Sequence, residues 1–583
     1  MQVIATAGHV DHGKSTLLHA LTGMAPDRLA EERRRGLTIE LGFSWTTLPS
    51  GERVAFVDVP GHQRFVPTML AGVGPLPAAM FVVAANEGWS AQSTEHLSAL
   101  DALWVGHGVL VITKCDLADP DPATEQAREM LCGSTLAEAE AVAVSAQTGA
   151  GIDQLAGALG RLASRLPTPD PTAPVRFWVD RVFSVVGAGT VVTGTLGEGT
   201  LRIGDELSVG GQTARIRGLQ SLKERVEEIS GVARVAVNLR GVDRSSIERG
   251  EPLLTPDAWL HTATVDVGTD RDIRAGQATL HIGSAAVAAW VRPLGNRSAR
   301  LILAAELPLR IGDRALLRDP GQRVIDGVTV LDVAPPALAR RGAARVRATE
   351  LAAGAPDAAR LLRQHGVLKR SELSAMGAAT TMEPVVGDWL VDPDLWARLG
   401  VQLAALVEEH ARAHPLEPGL PVEAARRSLG LPERSLVEAL VHPPLTLVGG
   451  RLALPTGLAA PVVAAVEQIR AHLDQTPFAA PDADWLAERA IDRKVIAAAV
   501  RAGLLVDLGS GVVLLPDALA QAADLLGRLP QPFTVADARR VLATTRRVAV
   551  PLLEHLDGQR VTRRIDAGHR ELVANHGGAD RVG

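Results

Sequence analysis

The stretch Gly8-His9-Val10-Asp11-His12-Gly13-Lys14-Ser15 constrains this chain more than any other. It has the form G-x-x-x-x-G-K-[ST]. In that form the glycines let the backbone turn tightly, so successive N–H groups can point at phosphate oxygens. Residues 2–7 read as a short strand and residues 15–21 as a helix, the strand–loop–helix context that the motif requires. The helix N-terminus adds partial positive charge at the same place. Lys14 is then positioned for the β- and γ-phosphates of a nucleoside triphosphate and the Ser15 hydroxyl for Mg²⁺, with His9 to His12 and Thr16 completing the cradle.

The partners such a loop needs follow in order. Apolar runs recur at residues 54–57, 80–85, 109–112 and 141–144, with helical stretches between most of them. This alternation predicts an α/β domain with a mostly parallel sheet covered on both faces. Its ligand should lie at the carboxyl ends of the strands. Asp58-Val59-Pro60-Gly61 ends one run as D-x-x-G, where Asp58 would hold Mg²⁺ through water and the Gly61 N–H would sense the γ-phosphate. Upstream, Thr38 in Arg35-Gly36-Leu37-Thr38-Ile39 would complete the Mg²⁺ shell. His62 follows Gly61, where it can position the attacking water and stabilise charge at the γ-phosphate together with Lys14. Thr113-Lys114-Cys115-Asp116 ends the next run in the manner of N-K-x-D. The Asp116 carboxylate can accept from both N1–H and the exocyclic amine of guanine, a pair of donors that adenine lacks. Thr113 stands where the motif has asparagine, so an amide contact near the base is absent. Ser145-Ala146 supplies the companion loop. The predicted ligands are GTP or GDP and Mg²⁺. His96 and His107 have no comparable placement and read as structural.

Composition narrows the setting. A chain of 583 residues with 46% apolar and 22% charged residues is globular and has room for several cores. No apolar run approaches the roughly 18 residues a membrane span needs. Residues 1–7 carry no basic residue, unlike a signal peptide. Cys115 and Cys132 are the only cysteines, too few for a disulfide framework or a four-cysteine zinc site, which fits a reducing cytoplasm. The net charge of −6 means that any nucleic-acid surface must be local. Lysine occurs only five times, so the abundance of arginine reflects coding bias and lowers the weight of arginine runs.

Beyond the nucleotide domain, expected over residues 1–170, a proline-rich segment at 167–174 reads as a linker. Alternating strands with glycine turns then predict two β-barrel domains, 172–256 and 257–335. From 336 onward the chain becomes rich in alanine and leucine, and short strand pairs recur at 445–454, 504–515 and 561–573. The spacing predicts four winged-helix units, 336–400, 401–455, 456–516 and 517–583. Within the last unit, residues 539–564 hold seven arginines, Arg539, Arg540, Arg546, Arg547, Arg560, Arg563 and Arg564, against only Glu554 and Asp557. Arg546 and Arg547 should open a recognition helix over 548–556, with Arg563 and Arg564 in the wing, a distribution suited to RNA phosphates and loop bases.

The wording of the motifs is more specific than the class. Gly-His-Val-Asp-His-Gly-Lys at 8–14, Arg-Gly-Leu-Thr-Ile at 35–39 and Asp-Val-Pro-Gly-His at 58–62 are similar to those of the translational GTPases related to elongation factor Tu. Residues 27–42 and Met69-Leu70-Ala71-Gly72-Val73-Gly74 resemble the selenocysteine-specific elongation factors of bacteria, and the resemblance runs along the whole chain. It implies a GTPase stimulated by the ribosome that carries selenocysteinyl-tRNA, and a C-terminal arm that binds a messenger-RNA hairpin at UGA codons. It also implies an aminoacyl pocket on the first barrel, built from Asp180, Arg181 and Arg234. A selenol is ionised at neutral pH and a serine hydroxyl is not, so a cationic pocket can separate them by charge. A monomer is expected. Two other readings share the front half: a general aminoacyl-tRNA carrier, and a nucleotide-switched DNA-binding regulator. The C-terminal third and the arginine set weigh against the first, and the two barrels weigh against the second.

Overall fold

The computed structural model describes residues 1–24, 41–60, 76–319 and 325–573, except positions 186, 188, 296, 415, 416, 418, 455–459 and 567. It falls into two compact units, Met1–Pro384 and Val385–Gly583.

The first unit opens with a six-stranded sheet. Its strands are β1 (Gln2–Gly8), β2 (Gly42–Thr47), β3 (Arg53–Asp58), β4 (Ala78–Ala84), β5 (His107–Thr113) and β6 (Glu140–Ala143), in the order β2-β3-β1-β4-β5-β6. All neighbours are parallel except β2 and β3. Period-two alternation sends Val3, Ala5 and Ala7 to one face and Ile4 to the other, and both faces are buried. Helices α2 (Ala91–Ala102) and α3 (Asp121–Leu131) cover the first face through Leu97, Leu100, Ala127 and Leu131. Helices α1 (Lys14–Thr22) and α4 (Ile152–Arg165) cover the second. Leu155, Ala158, Leu159 and Leu162 of α4 fall at helical spacing on one stripe and are all buried.

Two antiparallel barrels follow. In the first, the strand Glu206–Val209 pairs with both Pro252–Leu254 and Gln212–Ser221 and so closes a ring through Arg176–Val185, Gly189–Leu196 and Ala233–Arg240. In the second, His261–Thr269 pairs with both Ser298–Pro308 and Ile325–Asp332 and closes a six-stranded ring. Closure removes the exposed edges that an open sheet would present.

The second barrel holds the first helices of the C-terminal region through buried charges. Arg347, in the helix Ala343–Ala352, donates from Nε to Asp266 at 2.8 Å and pairs with Asp332. Arg300 grips Asp266 with two bonds of 2.7 and 3.0 Å and reaches the Pro336 carbonyl at 2.8 Å. Gln364 donates to Asp332 at 3.1 Å. Both carboxylates are fully buried. The unit expected over 336–400 is therefore divided, its first helices belonging to the body that contains the barrels. The boundary expected at 400 also falls inside a single helix, Pro393–Ala413. Asp392 caps that helix by accepting from the Leu395 N–H, and Pro393 supplies the fixed φ of its first turn, so nothing interrupts it at 400.

In the second unit short helices alternate with strand wings at Thr446–Val448 with Arg451–Ala453, Val506–Asp507 with Val513–Leu514, and Thr562–Arg564 with His569–Leu572. These are the strand pairs expected from sequence. The last two helical units share one apolar core, in which Ile469 and Phe478 join Val548, Leu552 and Leu556.

Removing one partner of a buried ion cluster leaves the others charged and unpaired, at a cost of about 3–5 kcal/mol. Arg347→Met should therefore lower the stability of the first unit by about that much, read as a fall in its calorimetric transition, while the transition of residues 385–573 stays in place.

Candidate functional site

The phosphate loop lies between β1 and α1. Gly8 has φ +127°, and a Cβ there would come within 2.1 Å of the Val82 carbonyl oxygen, so only glycine lets the loop leave the sheet at this point. Gly13, at φ +78°, caps α1, and its carbonyl accepts from the Leu17 N–H at 2.8 Å. The Lys14 ammonium donates to the carbonyls of Gly8 and His9 at 3.0 and 2.7 Å. Burial lowers its pKa to about 8, against the pull of the Asp58 and Asp11 carboxylates. His12 is fully buried beneath the loop, its Nδ1 3.3 Å from the Val82 carbonyl, and burial pushes it down to about 4.

Asp58, at the end of β3, is fully buried. It accepts from the Thr6 hydroxyl at 2.8 Å and the Ser15 hydroxyl at 2.6 Å. Two of the three residues expected at the metal are thus in contact. The third, Thr38, lies outside the described residues, as do Gly61 and His62.

The base-reading segments meet at the carboxyl ends of β5 and β6. Ser145 donates to Asp116 at 2.6 Å and so fixes a carboxylate that is open to solvent. Ala146 is half-buried beside it, in a turn where Ser145 N–H donates to the Ala150 carbonyl at 2.9 Å. Lys114, at φ +59°, pairs with Glu87 at 2.7 Å, and that bond lowers the pKa of Glu87. Thr113 donates to the His12 carbonyl at 2.7 Å. The threonine that replaces the motif's asparagine therefore ties the base-reading loop to the phosphate loop.

Some of the support was not read from sequence. Gln92 accepts from the Val10 N–H at 3.2 Å, and His96 Nδ1 accepts from the Gly8 N–H at 3.1 Å. These residues sit four apart on α2, on one face. His96, which reads as structural in the sequence, is structural in a specific way: it holds the first glycine of the phosphate loop.

On the first barrel Asp180, Arg181 and Arg234 come together beside β2. Asp180 is buried, pairs with Arg234 and accepts from the Thr193 hydroxyl at 2.7 Å. Arg181 donates to the Leu41 carbonyl at 2.6 Å. Both guanidinium carbons lie over the Phe43 ring, Arg234 at 3.9 Å and Arg181 at 5.4 Å.

In the last unit the helix Arg546–Gly558 and the wing strand Thr562–Arg564 lie where the sequence predicts them. Arg539, Arg540, Arg546, Arg560, Arg563 and Arg564 are exposed. Arg547 departs from expectation. Its guanidinium donates to the Ala480 and Pro481 carbonyls at 2.6 and 3.2 Å, which ties the last unit to the one before it. The wing is braced by Asp557, which accepts from Thr562 and from the buried Arg570 at 2.6 and 2.8 Å.

A phosphate loop on a parallel sheet, a buried aspartate against its serine, a guanine-type loop and two barrels in series define a P-loop GTPase of the translational type. Residues 1–165 match the model of the elongation factor Tu GTP-binding domain, and residues 524–570 match that of the elongation factor SelB winged helix. The chain is 41% identical over 270 residues to the selenocysteine-specific elongation factor of Desulfomicrobium baculatum, covering 46% of this chain and 43% of that one. It is 38% identical over 351 residues to that of Escherichia coli, covering 58% and 56%. These alignments span about half the length of the relatives they match. A crystal structure of a bacterial selenocysteine-specific elongation factor superposes with a TM-score of 0.80 at 25% identity, covering 98% of this chain and all of that one. The chain belongs to the translational GTPases related to elongation factor Tu, and among them it is similar along its length to the selenocysteine-specific elongation factors.

Losing the Thr113 hydroxyl removes a buried hydrogen bond worth about 1 kcal/mol. Thr113→Val should weaken GDP and GTP binding about fivefold, measured by nucleotide fluorescence titration, with Thr113→Ser close to the unaltered protein.

Proposed function

We propose that this protein is a GTP-dependent elongation factor that delivers selenocysteinyl-tRNA to the ribosome at UGA codons, binding a messenger-RNA hairpin through its last winged-helix unit. The observation that carries this reading is the meeting of Asp180, Arg181 and Arg234 on the first barrel. Two guanidinium groups against one carboxylate leave net positive charge. A selenolate gains from that charge and a neutral serine hydroxyl does not.

GTP would lie along the phosphate loop, its phosphates replacing the Gly8 and His9 carbonyls as partners of Lys14, with the base on Asp116, Lys114 and the Ser145–Ala146 turn. The hard oxygen donors of Ser15 and Asp58, already side by side, suit Mg²⁺, and Thr38 would complete the set. When bound, the ion neutralises charge on the β- and γ-phosphates. His62 orients water for in-line attack on the γ-phosphate, and Lys14 and the Gly61 N–H stabilise the charge that develops on the phosphoryl oxygens. The ribosome aligns His62, so turnover of the free protein is slow. No helix among the described residues is long and apolar enough to cross a membrane.

The decisive experiment compares binding of the GTP form to selenocysteinyl-tRNA and to the same tRNA charged with serine. A strong preference for the first, lost in Arg181→Ala, is the expected outcome. Equal binding would return the chain to a general tRNA carrier.

For the hairpin, Arg546→Ala should weaken binding and reduce the slope of log K against log salt by about 1, as for one lost phosphate contact. Arg547→Ala should instead lower the thermal stability of the last two units, because its guanidinium is held by protein carbonyls.

A further inference from the structure

The strand β2 joins two sites that the family reading treats separately. At its start Gly42 pairs with Asp58 across the β2–β3 ladder, and Phe43 pairs with Val57. Asp58 is the carboxylate held by Thr6 and Ser15 in the nucleotide site. On the other side of the same three residues, the Leu41 carbonyl accepts from Arg181 at 2.6 Å, and the Phe43 ring lies under Arg234 at 3.9 Å and Arg181 at 5.4 Å. One residue of backbone therefore separates the partner of the catalytic-site carboxylate from the ring that both pocket arginines face. β2 is the edge strand of its sheet, held by β3 on one side only, so it can follow a small shift at the Asp58 end of β3 more freely than the interior strands can.

We infer that Phe43 is a positioning residue that makes the charge of the aminoacyl pocket depend on the nucleotide. Its π-face offsets part of the desolvation of Arg234, which Asp180 also neutralises, and the Leu41 carbonyl holds Arg181 beside it. When Asp58 changes partners on binding nucleotide and cation, β2 carries Leu41 and Phe43 with it. The two guanidinium groups are then presented to, or withdrawn from, an anionic aminoacyl group. A second contact of the same kind lies two residues on, where Lys223 stands 5.3 Å over the Trp45 ring. Lys223 and its neighbour Leu222 are in the left-handed region, at φ +65° and +50°, in a hairpin turn that packs Leu222 against the core of the nucleotide domain. The barrel is thus engaged along the outward-facing residues of β2, and not at one point.

This inference rests on reading Asp180, Arg181 and Arg234 as the aminoacyl pocket, and the experiment separates the two. Protection of the aminoacyl ester from hydrolysis is measured for selenocysteinyl- and seryl-tRNA, with GTP and with GDP, in the full chain and in Phe43→Leu and Phe43→Tyr. Leucine keeps the apolar contact and removes the π-face, and tyrosine keeps both. The expected result is an unchanged affinity for GTP, a GTP-to-GDP ratio of selenocysteinyl-tRNA binding reduced about tenfold in Phe43→Leu, and recovery of the ratio in Phe43→Tyr. A ratio equal to that of the unaltered protein in Phe43→Leu overturns the inference. So does an equal loss in both nucleotide forms, which would mean that Phe43 only supports the fold. If the unaltered protein protects both aminoacyl-tRNAs alike, the pocket reading itself fails and the inference falls with it.

Discussion

A carboxylate sealed inside a protein must be paired or hydrogen-bonded to stay charged, and the partners it takes organise whatever surrounds it. Asp58 occupies that position here. The hydroxyls of Thr6 and Ser15 fix its two oxygens, the Val59 N–H donates to the same Thr6 hydroxyl at 3.2 Å, and the Lys14 ammonium feels its charge. Three strands and the phosphate loop are thereby set around one acidic group. With Asp58 so held, the start of α1, the end of β3 and the edge strand β2 cannot move independently. The nucleotide site is accordingly preformed among the described residues, and a change at that site has an outlet through β2 toward the first barrel.

The other charged groups obey the same rule with different results. Arg234 keeps its charge near the protein interior because Asp180 and the Phe43 ring compensate it, while the pocket as a whole stays positive. Arg300 and Arg347 are paid back fully by Asp266 and Asp332, and they serve only to fix the orientation of the helix Ala343–Ala352 on its barrel. On the helix Val535–Val541, by contrast, Arg540 stands 3.5 Å from Asp537 with most of its side chain in solvent. An arginine's job in this chain follows from how completely it is neutralised.

That distinction explains which parts of the molecule were readable from sequence. The phosphate loop, Asp58, Asp116 and Ser145 are legible because each sits at a strand end and its chemistry is local to a few residues. The alternation of strands and helices is legible for the same reason. The strand β2 was missed. Its six residues, Gly-Phe-Ser-Trp-Thr-Thr, include only two strongly apolar side chains, and their partner surface lies more than a hundred residues away on the barrel. Arg347 and Arg547 were invisible as structural residues because an arginine-rich chain gives no local sign of which guanidinium will be held by the protein itself, as buried Arg347 is by carboxylates and exposed Arg547 by two carbonyls. Gln92 and His96 show the same limit, since a spacing of four marks one helix face but not what that face meets.

The C-terminal third shows two ways of joining small domains, and the physics separates their purposes. A buried ion cluster such as that around Arg347 adds little net stability over an apolar contact of equal size, but its bonds are directional and tolerate few alternative orientations. The last two units use the opposite means. A continuous apolar core through Ile469, Phe478 and Leu552 supplies stability without much direction, and Arg547 adds the directional element through two carbonyls. Fusing these two units makes the arginine-bearing helix Arg546–Gly558 and its wing part of a body larger than one winged helix can build alone. A small domain that must grip a charged, rigid ligand gains from such backing. The phosphate contacts proposed for this helix would pull on its arginines, and Val548, Leu552 and Leu556 anchor it in the shared core.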